Sequence, residues 1–466
     1  MRKLILSLAA TPLILGSIAV SAQADDAAVK ADSGFNIFSD VKFKGELRPR
    51  YQFTDVKEVS DNTAADAQRD AGSSVTNRTN LNFTAKLFEL DGMNGTIELN
   101  AVNDFGSQQG ANQNGGEALV AKISQANIDY TIAGVTGIIG RKTVNLDNQR
   151  FIGSVGWKQN FQTLDLAAVA YGIGDFSILG AYVYGVNAIK DGGYEYGRNP
   201  EPKYTGGIDS GRTNSFALNA SYKIVDPAKI TGYAYLLGSA SDTYGLAVTG
   251  KIAMGDSAKL NYRADGAVQQ KATLKAYADG QIGAGTGHKD SILGKAGYVN
   301  LDVGANISGF LVGLNYEVLG GAKAGDNSTT AFQTPLATKH KFNGWADQFL
   351  ATPTTGLVDL NIRGGYKFDK YGKIIAFYHF FGAAADEVKG NGNGKSGDDM
   401  KSGDAYGSEF DIAYSLPIPS VNGLGLLVKA AMYKDSDDTK GIGFKSGADS
   451  DKTLAWVQLD YKFATK

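Results

Sequence analysis

The stretch that most constrains this chain is VKFKGELRPRYQFT, residues 41–54. Its odd positions are Val41, Phe43, Gly45, Leu47, Pro49, Tyr51 and Phe53, and its even positions are Lys42, Lys44, Glu46, Arg48, Arg50, Gln52 and Thr54. Side chains alternate faces along a strand, so one face is oily and the other charged. In soluble sheets such alternation usually lasts about 4–8 residues. Here it spans fourteen, more than the roughly 9–11 that a tilted strand needs to cross a bilayer. A Lys or Arg facing lipid at mid-depth would cost about 2–4 kcal/mol. The charged face must therefore meet water while the oily face meets something apolar. A water-filled barrel in a membrane satisfies both demands.

The rest of the chain fits that reading. Alternating segments fall near 78–87, 96–105, 122–132, 135–142, 160–172, 176–186, 214–223, 229–238 and 243–252. They continue near 258–266, 297–307, 310–319, 357–368, 373–381, 408–416, 424–433 and 453–463. With the first strand the total is eighteen, an even number that returns both ends to one side. The connections alternate between short turns, such as Ala133-Gly134 and Ser308-Gly309, and long polar ones, such as 187–212 and 320–356. The expected fold is all-β: a transmembrane antiparallel β-barrel of about 18 strands with short periplasmic turns and long extracellular loops. Two soluble sandwiches would show similar loops at both ends, and a solenoid would show a fixed repeat that is missing here. The region 267–296 is the least regular, and 271–278 reads either as an extra strand or as part of a folded loop.

Composition agrees. Arg2 and Lys3 precede an apolar run ending in Ala22-Gln23-Ala24, an A-x-A cleavage pattern. Residues 1–24 thus read as a secretory signal, 25–40 as a periplasmic lead and 41–466 as the barrel. A membrane anchor is the weaker reading, because Thr11, Pro12 and serines interrupt the run. Removing the signal takes the formal charge from −2 to −4, near balance and unsuited to a nucleic-acid partner. The exported chain has no cysteine, so no disulfide holds it together. Its 60 glycines, 23 tyrosines and 22 phenylalanines suit Gly-rich loops and aromatic girdles. The expected setting is the cell outer membrane, with lipid and small hydrophilic solutes as partners.

Parity assigns side chains to the lumen. Lys42, Lys44, Arg48, Arg50, Arg78, Lys86 and Lys462 form a basic group on strands one, two and eighteen, offset by Glu46 and Asp460. Lys259, Arg263, Arg363, Lys367 and Lys429 point inward elsewhere, with Glu98, Asp165, Asp265, Asp302, Glu317, Asp359, Glu409 and Asp411. Charges at a narrow point tune which ions pass; elsewhere they solvate the wall. An arginine ladder suits carboxylates through bidentate contacts. Two channel readings follow: passive diffusion of small hydrophilic solutes and ions, or a bias toward anionic, carboxylate or sugar-acid solutes. A third class is a surface adhesin or enzyme.

The most specific stretch is GRKTVNLDNQRFIGSVGWKQN, residues 140–160, the third outside loop. Its Arg141, Asp147, Asn148, Arg150 and Lys158 are candidate pore-lining groups. We expect 145–158 to bend into the barrel and set its narrowest point, with Asp147 and Arg150 as paired charges and Gly153 and Gly156 at the bends. The alternative packs the loop on the rim, with Phe151 and Trp157 as interface aromatics. This stretch resembles a signature of outer-membrane porins of the alginate-export type, and the arrangement is similar to the major outer-membrane porins of Campylobacter and its relatives. The local match covers about 20 residues; beyond it the resemblance is one of architecture. It implies an 18-stranded barrel passing small hydrophilic solutes, and it leaves monomer and homotrimer both open, since only some of those relatives are trimers. One departure is the end: such barrels usually finish on an aromatic residue, whereas Ala464-Thr465-Lys466 follow Phe463 here.

Enzyme signatures are poor. The three histidines are His288, His340 and His379, and neither Cys nor an HExxH motif is present. A Ser-His-Asp set on the rim, as in outer-membrane phospholipases, would have to use His379. The acidic stretch 435–438 lacks EF-hand spacing. No cofactor or metal is expected.

Overall fold

The computed structural model describes residues 36–58, 71–108, 119–189, 211–238, 240–270, 273, 295–321, 331–386, 401–436 and 450–465. The signal segment 1–24, most of the lead, most of 271–278, His288 and the 437–449 part of the last loop lie outside them.

Eighteen strands run in sequence order. They are β1 (Phe38–Glu58), β2 (Gly72–Leu87), β3 (Met93–Gln108), β4 (Ala121–Ile132), β5 (Val135–Lys142), β6 (Thr163–Ile173), β7 (Phe176–Asn187), β8 (Gly211–Val225) and β9 (Ala228–Leu237). They continue as β10 (Ser241–Ala253), β11 (Ala258–Gln270), β12 (Ala296–Ile307), β13 (Phe310–Leu319), β14 (Leu357–Lys367), β15 (Lys373–Gly382), β16 (Ala405–Pro417), β17 (Leu424–Asp435) and β18 (Ser450–Ala464). Each pairs antiparallel with its neighbour in sequence, and β1 pairs with both β2 and β18. Tyr51 stands opposite Val75 on one side and Val457 on the other. The sheet is closed, so no strand edge is left unpaired, which is what a bilayer demands of strands. Among the described residues the only helix is a single 3-10 turn, Lys339–Lys341.

Two-residue turns link several strands on the short-loop side. Ala133-Gly134 and Ser308-Gly309 carry positive φ at both positions, the geometry that matches strand twist in a hairpin. Near these turns sits an aromatic girdle. Phe310 packs edge-on against Tyr366 at 4.7 Å, and Tyr366 against Phe368 at 4.8 Å. The closing seam is aromatic too: Phe43 stacks near Phe83 and Phe463, at 4.8 and 5.8 Å. The terminal extension is not loose there, because Thr465 N–H donates to Phe43 O at 2.9 Å and adds a rung to the ladder.

The faces sort as the alternation requires over most of the wall. Leu47, Tyr51, Leu301, Val303 and Ile362 are exposed on the outside, whereas Arg48, Arg50, Asn300, Glu317 and Asp359 are buried within. Two positions differ from the expected parity. Arg141 shares the face of the exposed Ile139, and Asp165 alternates with the buried Leu164 and Leu166. The pair therefore sits together on the outer face at the extracellular rim, with Arg141 Nε 2.7 Å from Asp165 Oδ1. Neither lines the pore. Lys142 turns inward instead and donates to Asn127 at 3.3 Å.

A further difference is that β5–β9 are apolar on the inside as well. Ile138, Leu164, Leu166, Ala168, Leu179, Val183, Tyr233 and Tyr235 form one buried cluster with Leu146, Phe151 and Ile152 of the third loop. A wet lumen would not stabilise that wall, so something apolar must cover it. Arg replacing lipid-facing Leu301, midway along β12, should cost about 2–4 kcal/mol in denaturant unfolding from lipid vesicles, with Leu301→Ala costing less. Equal stability of Leu301→Arg and the parent would contradict the assigned faces.

Candidate functional site

The third loop, residues 143–162, supplies that cover. Phe151 enters a nest of Tyr233, Tyr298 and Phe332, with ring centroids at 5.1, 5.3 and 6.0 Å. The chain then crosses the lumen. Positive φ falls at Asp147, Gln149 and Val155, at 49°, 70° and 54°, and Gly156 lies in the turn that Lys158 N–H closes on Val155 O at 3.0 Å, whereas Gly153 lies outside any turn. A β-branched valine in that region is strained, so the surrounding contacts must over-determine it.

Charge pairs pin the loop to the far wall. Asp147 lies 2.5 Å from Arg263 of β11. Arg150 forms a fork on Glu317 of β13, at 2.7 and 3.0 Å, and donates to Asn343 at 2.9 Å. Asp147 and Arg150 thus each have a wall partner and do not pair with each other, as the sequence alone suggested. Asn148 caps the bend locally: its side chain accepts the Arg150 N–H at 3.1 Å and its carbonyl takes Lys341 Nζ at 2.9 Å.

The returning half of the loop lies along β1 and β2. Three consecutive carbonyls each receive an arginine: Gly156 O from Arg48 at 2.9 Å, Trp157 O from Arg50 at 2.5 Å, and Lys158 O from Arg78 at 3.2 Å. Glu46 bridges Arg48 and Arg78, and Asp460 takes Arg48 at 2.7 Å. Gln458 accepts from Arg50 at 2.8 Å. Sequence parity correctly turns these arginines inward. The third loop rests on them. Their charge holds main chain and is largely met by neighbouring acids, so they are not an open ladder.

No motif singles out the seventh outside loop, between β13 and β14, yet its residues 331–356 fold inward as well. Leu336 bridges Ile152 in parallel, Gly153 N–H donates to Leu336 O at 2.9 Å, and Thr338 N–H to Gln149 O at 3.1 Å. An acidic wall receives the loop: Trp345 N–H donates to Asp411 at 3.2 Å and Ala346 N–H to Glu409 at 2.7 Å. Gly344 has φ +82°, and a Cβ there would meet Glu409 Oε2 at 2.3 Å, so only glycine lets the loop seat this closely. His379 is held by Asp359 at 2.9 Å and faces Asp411 at 3.7 Å. Lys158 reaches Asp347 of the seventh loop at 3.4 Å.

The remaining basic candidates line the short-turn half of the lumen. Lys42 and Lys462 are exposed and Lys44 half-buried. Lys86 pairs with the turn residue Asp91 at 2.6 Å. Below the two loops Arg363 forks onto Asp302 at 2.7 and 2.9 Å.

A closed barrel that is apolar outside, charged inside and narrowed by loops folded into its lumen is an outer-membrane β-barrel. Solved structures share the fold. Acinetobacter baumannii OccAB2 aligns with a TM-score of 0.65 at 14% identity, covering 92% of this chain and 99% of its own. Pseudomonas aeruginosa OccK9 (OpdG) aligns at 0.64 and 13% identity, covering 91% and 98%. Pseudomonas aeruginosa OpdQ gives 0.61 and 13%, covering 91% and 99%. The chain matches no protein-family model and no curated protein sequence.

His340 of the seventh loop makes the junction sensitive to acid. Burial, together with the adjacent Lys429, lowers its pKa from 6.5 to about 3, against the opposing pull of Asp347. The unfolded chain therefore takes up a proton that the folded chain refuses between these values. Stability should fall as pH drops from about 6.5 toward 3. His340→Gln should flatten this dependence in denaturant unfolding followed by tryptophan fluorescence. An unchanged slope would show that His340 does not set it.

Proposed function

We propose that this protein is a passive diffusion channel of the outer membrane for small hydrophilic solutes and ions. The observation that carries the reading is the lumen itself: a closed barrel with a charged inner wall, whose two inward loops are tied down by side-chain groups. Charge at a constriction tunes which ions pass a channel, and the two tied loops set such charges across the lumen. His379 is engaged by Asp359 and Asp411, which supports a wall role over a catalytic one. The resemblance to alginate-export-type and Campylobacter-type porins, trimers among them, is part of the same proposal and rests on residues 140–160.

A second reading, preference for anionic solutes, shifts its basis. Arg48, Arg50 and Arg78 are occupied by loop carbonyls, Glu46, Gln458 and Asp460. Lys42, Lys44 and Lys462 carry lumen charge without such partners and sit at the short-turn mouth of the barrel. They are the groups to which a passing carboxylate would respond.

In planar bilayers the purified protein should give ohmic steps. Replacing Lys42, Lys44 and Lys462 together by Gln should move the reversal potential in a salt gradient toward cation preference. No movement would leave an unselective pore, and folded protein without conductance would remove the channel reading altogether.

A further inference from the structure

Lys429 of β17 points into the lumen where the two loops meet. The chain has three tryptophans, and all three converge on this one amine. Its Nζ lies 3.8 Å from the ring centre of Trp345, 4.1 Å from Trp157 and 5.3 Å from Trp456. One ring comes from the third loop, one from the seventh and one from β18. His340 lies flat on Trp157, with centroids 4.7 Å apart and planes 5° apart, and its Nε2 stands 2.7 Å from Lys429 Nζ. The Arg50 guanidinium also lies over the Trp157 ring, at 4.2 Å from its centre. Trp456 leaves its indole N–H without a partner, so what this side chain offers here is its ring face.

The chemistry differs from that of the loop pins. Arg150 and Arg263 meet carboxylates at contact distance. The Lys429 amine meets indole faces and one imidazole nitrogen, with Asp411, Glu409, Asp347 and Arg50 acting on it from farther away. Cation–π contacts are attractive when desolvated, but each is weaker than a buried ion pair is costly to break. The hold of Lys429 on the two loops is therefore softer than the Arg150–Glu317 and Arg263–Asp147 pins.

We propose that Lys429 is the latch that holds the joined third and seventh loops to the β17 wall, so that the two loops act as one gate, and that withdrawal of its amine from the tryptophan cage is the step that opens it. The proposal rests on the channel reading for its consequence but not for its geometry. Ile152 and Leu336, paired across the loops, then move together, and the arginine-held carbonyls of 156–158 are the hinge on the wall.

The test uses the full-length protein and Lys429→Met, which keeps the apolar stem and removes the charge. In bilayers, Lys429→Met should raise the open-to-closed ratio by about tenfold or more, as expected from losing one desolvated cation–π contact. In detergent, acrylamide should quench its tryptophans more strongly than those of the parent. Unchanged gating and unchanged quenching together would overturn the proposal. Should Lys429→Met not fold, Ile152→Cys/Leu336→Cys in this cysteine-free chain gives a second route. Oxidised, it should still switch between the same conductance levels, because tied loops move as one body. Loss of switching on oxidation, restored by reductant, would show independent loops and refute the latch. If no form conducts, the channel reading fails, and the quenching of Lys429→Met in detergent still decides whether the amine holds the cage.

Discussion

A charge removed from water must find a partner, and the lumen of this barrel is arranged around that requirement. Arg150 and Glu317 are both buried, with side-chain exposures of 2% and 3%. Removing one member of such a pair typically costs about 3–5 kcal/mol, because the other is left uncompensated. The pair joins residues 167 positions apart, so it fixes where the third loop crosses the barrel. Arg263 with Asp147 repeats the device on β11, and the three arginines on β1 and β2 repeat it with carbonyl oxygens. The loop is thereby held at both ends of its path.

The apolar half of the interior gives the loop its other reason to be inside. Strands β5–β9 turn Leu164, Leu166, Leu179 and Val183 inward, and Phe151 and Ile152 complete that surface. Hydrophobic burial brings the loop across, while ion pairs decide its register. The seventh loop follows because the third presents it with a strand-like edge at Ile152 and Gly153 and the acidic wall presents carboxylates to its N–H groups. The barrel thus has an apolar core within its lumen, beside a charged wall.

Much of this was legible beforehand. Period-two alternation, with the short turns between segments, located the strands, because a bilayer outside and water inside impose opposite polarity on adjacent residues over most of the wall. The same parity turned Arg48, Arg50, Arg78, Glu317, Asp359, Glu409, Asp411 and Lys429 inward. It misplaced Arg141 and Asp165, because a rim position can hold an ion pair on its outer face, where headgroups and water replace hydrocarbon. The apolar inner wall was missed because a strand that is oily on both faces shows no alternation to count. The seventh loop was missed for another reason: its anchors are backbone N–H groups, which every sequence has. Which acid meets which base was also out of reach, since Asp147 and Arg150 are near neighbours in sequence and find partners more than a hundred residues away.

The account turns on the third loop being the pinned element that sets the passage. The most direct measurement is uptake of sugars of graded size into proteoliposomes, comparing the parent, Arg150→Met and a mouth variant, Lys42→Met. Release of the Arg150–Glu317 pin predicts faster entry and a larger size limit for Arg150→Met, with Lys42→Met close to the parent. An identical size limit in Arg150→Met, with the barrel folded, would contradict the account.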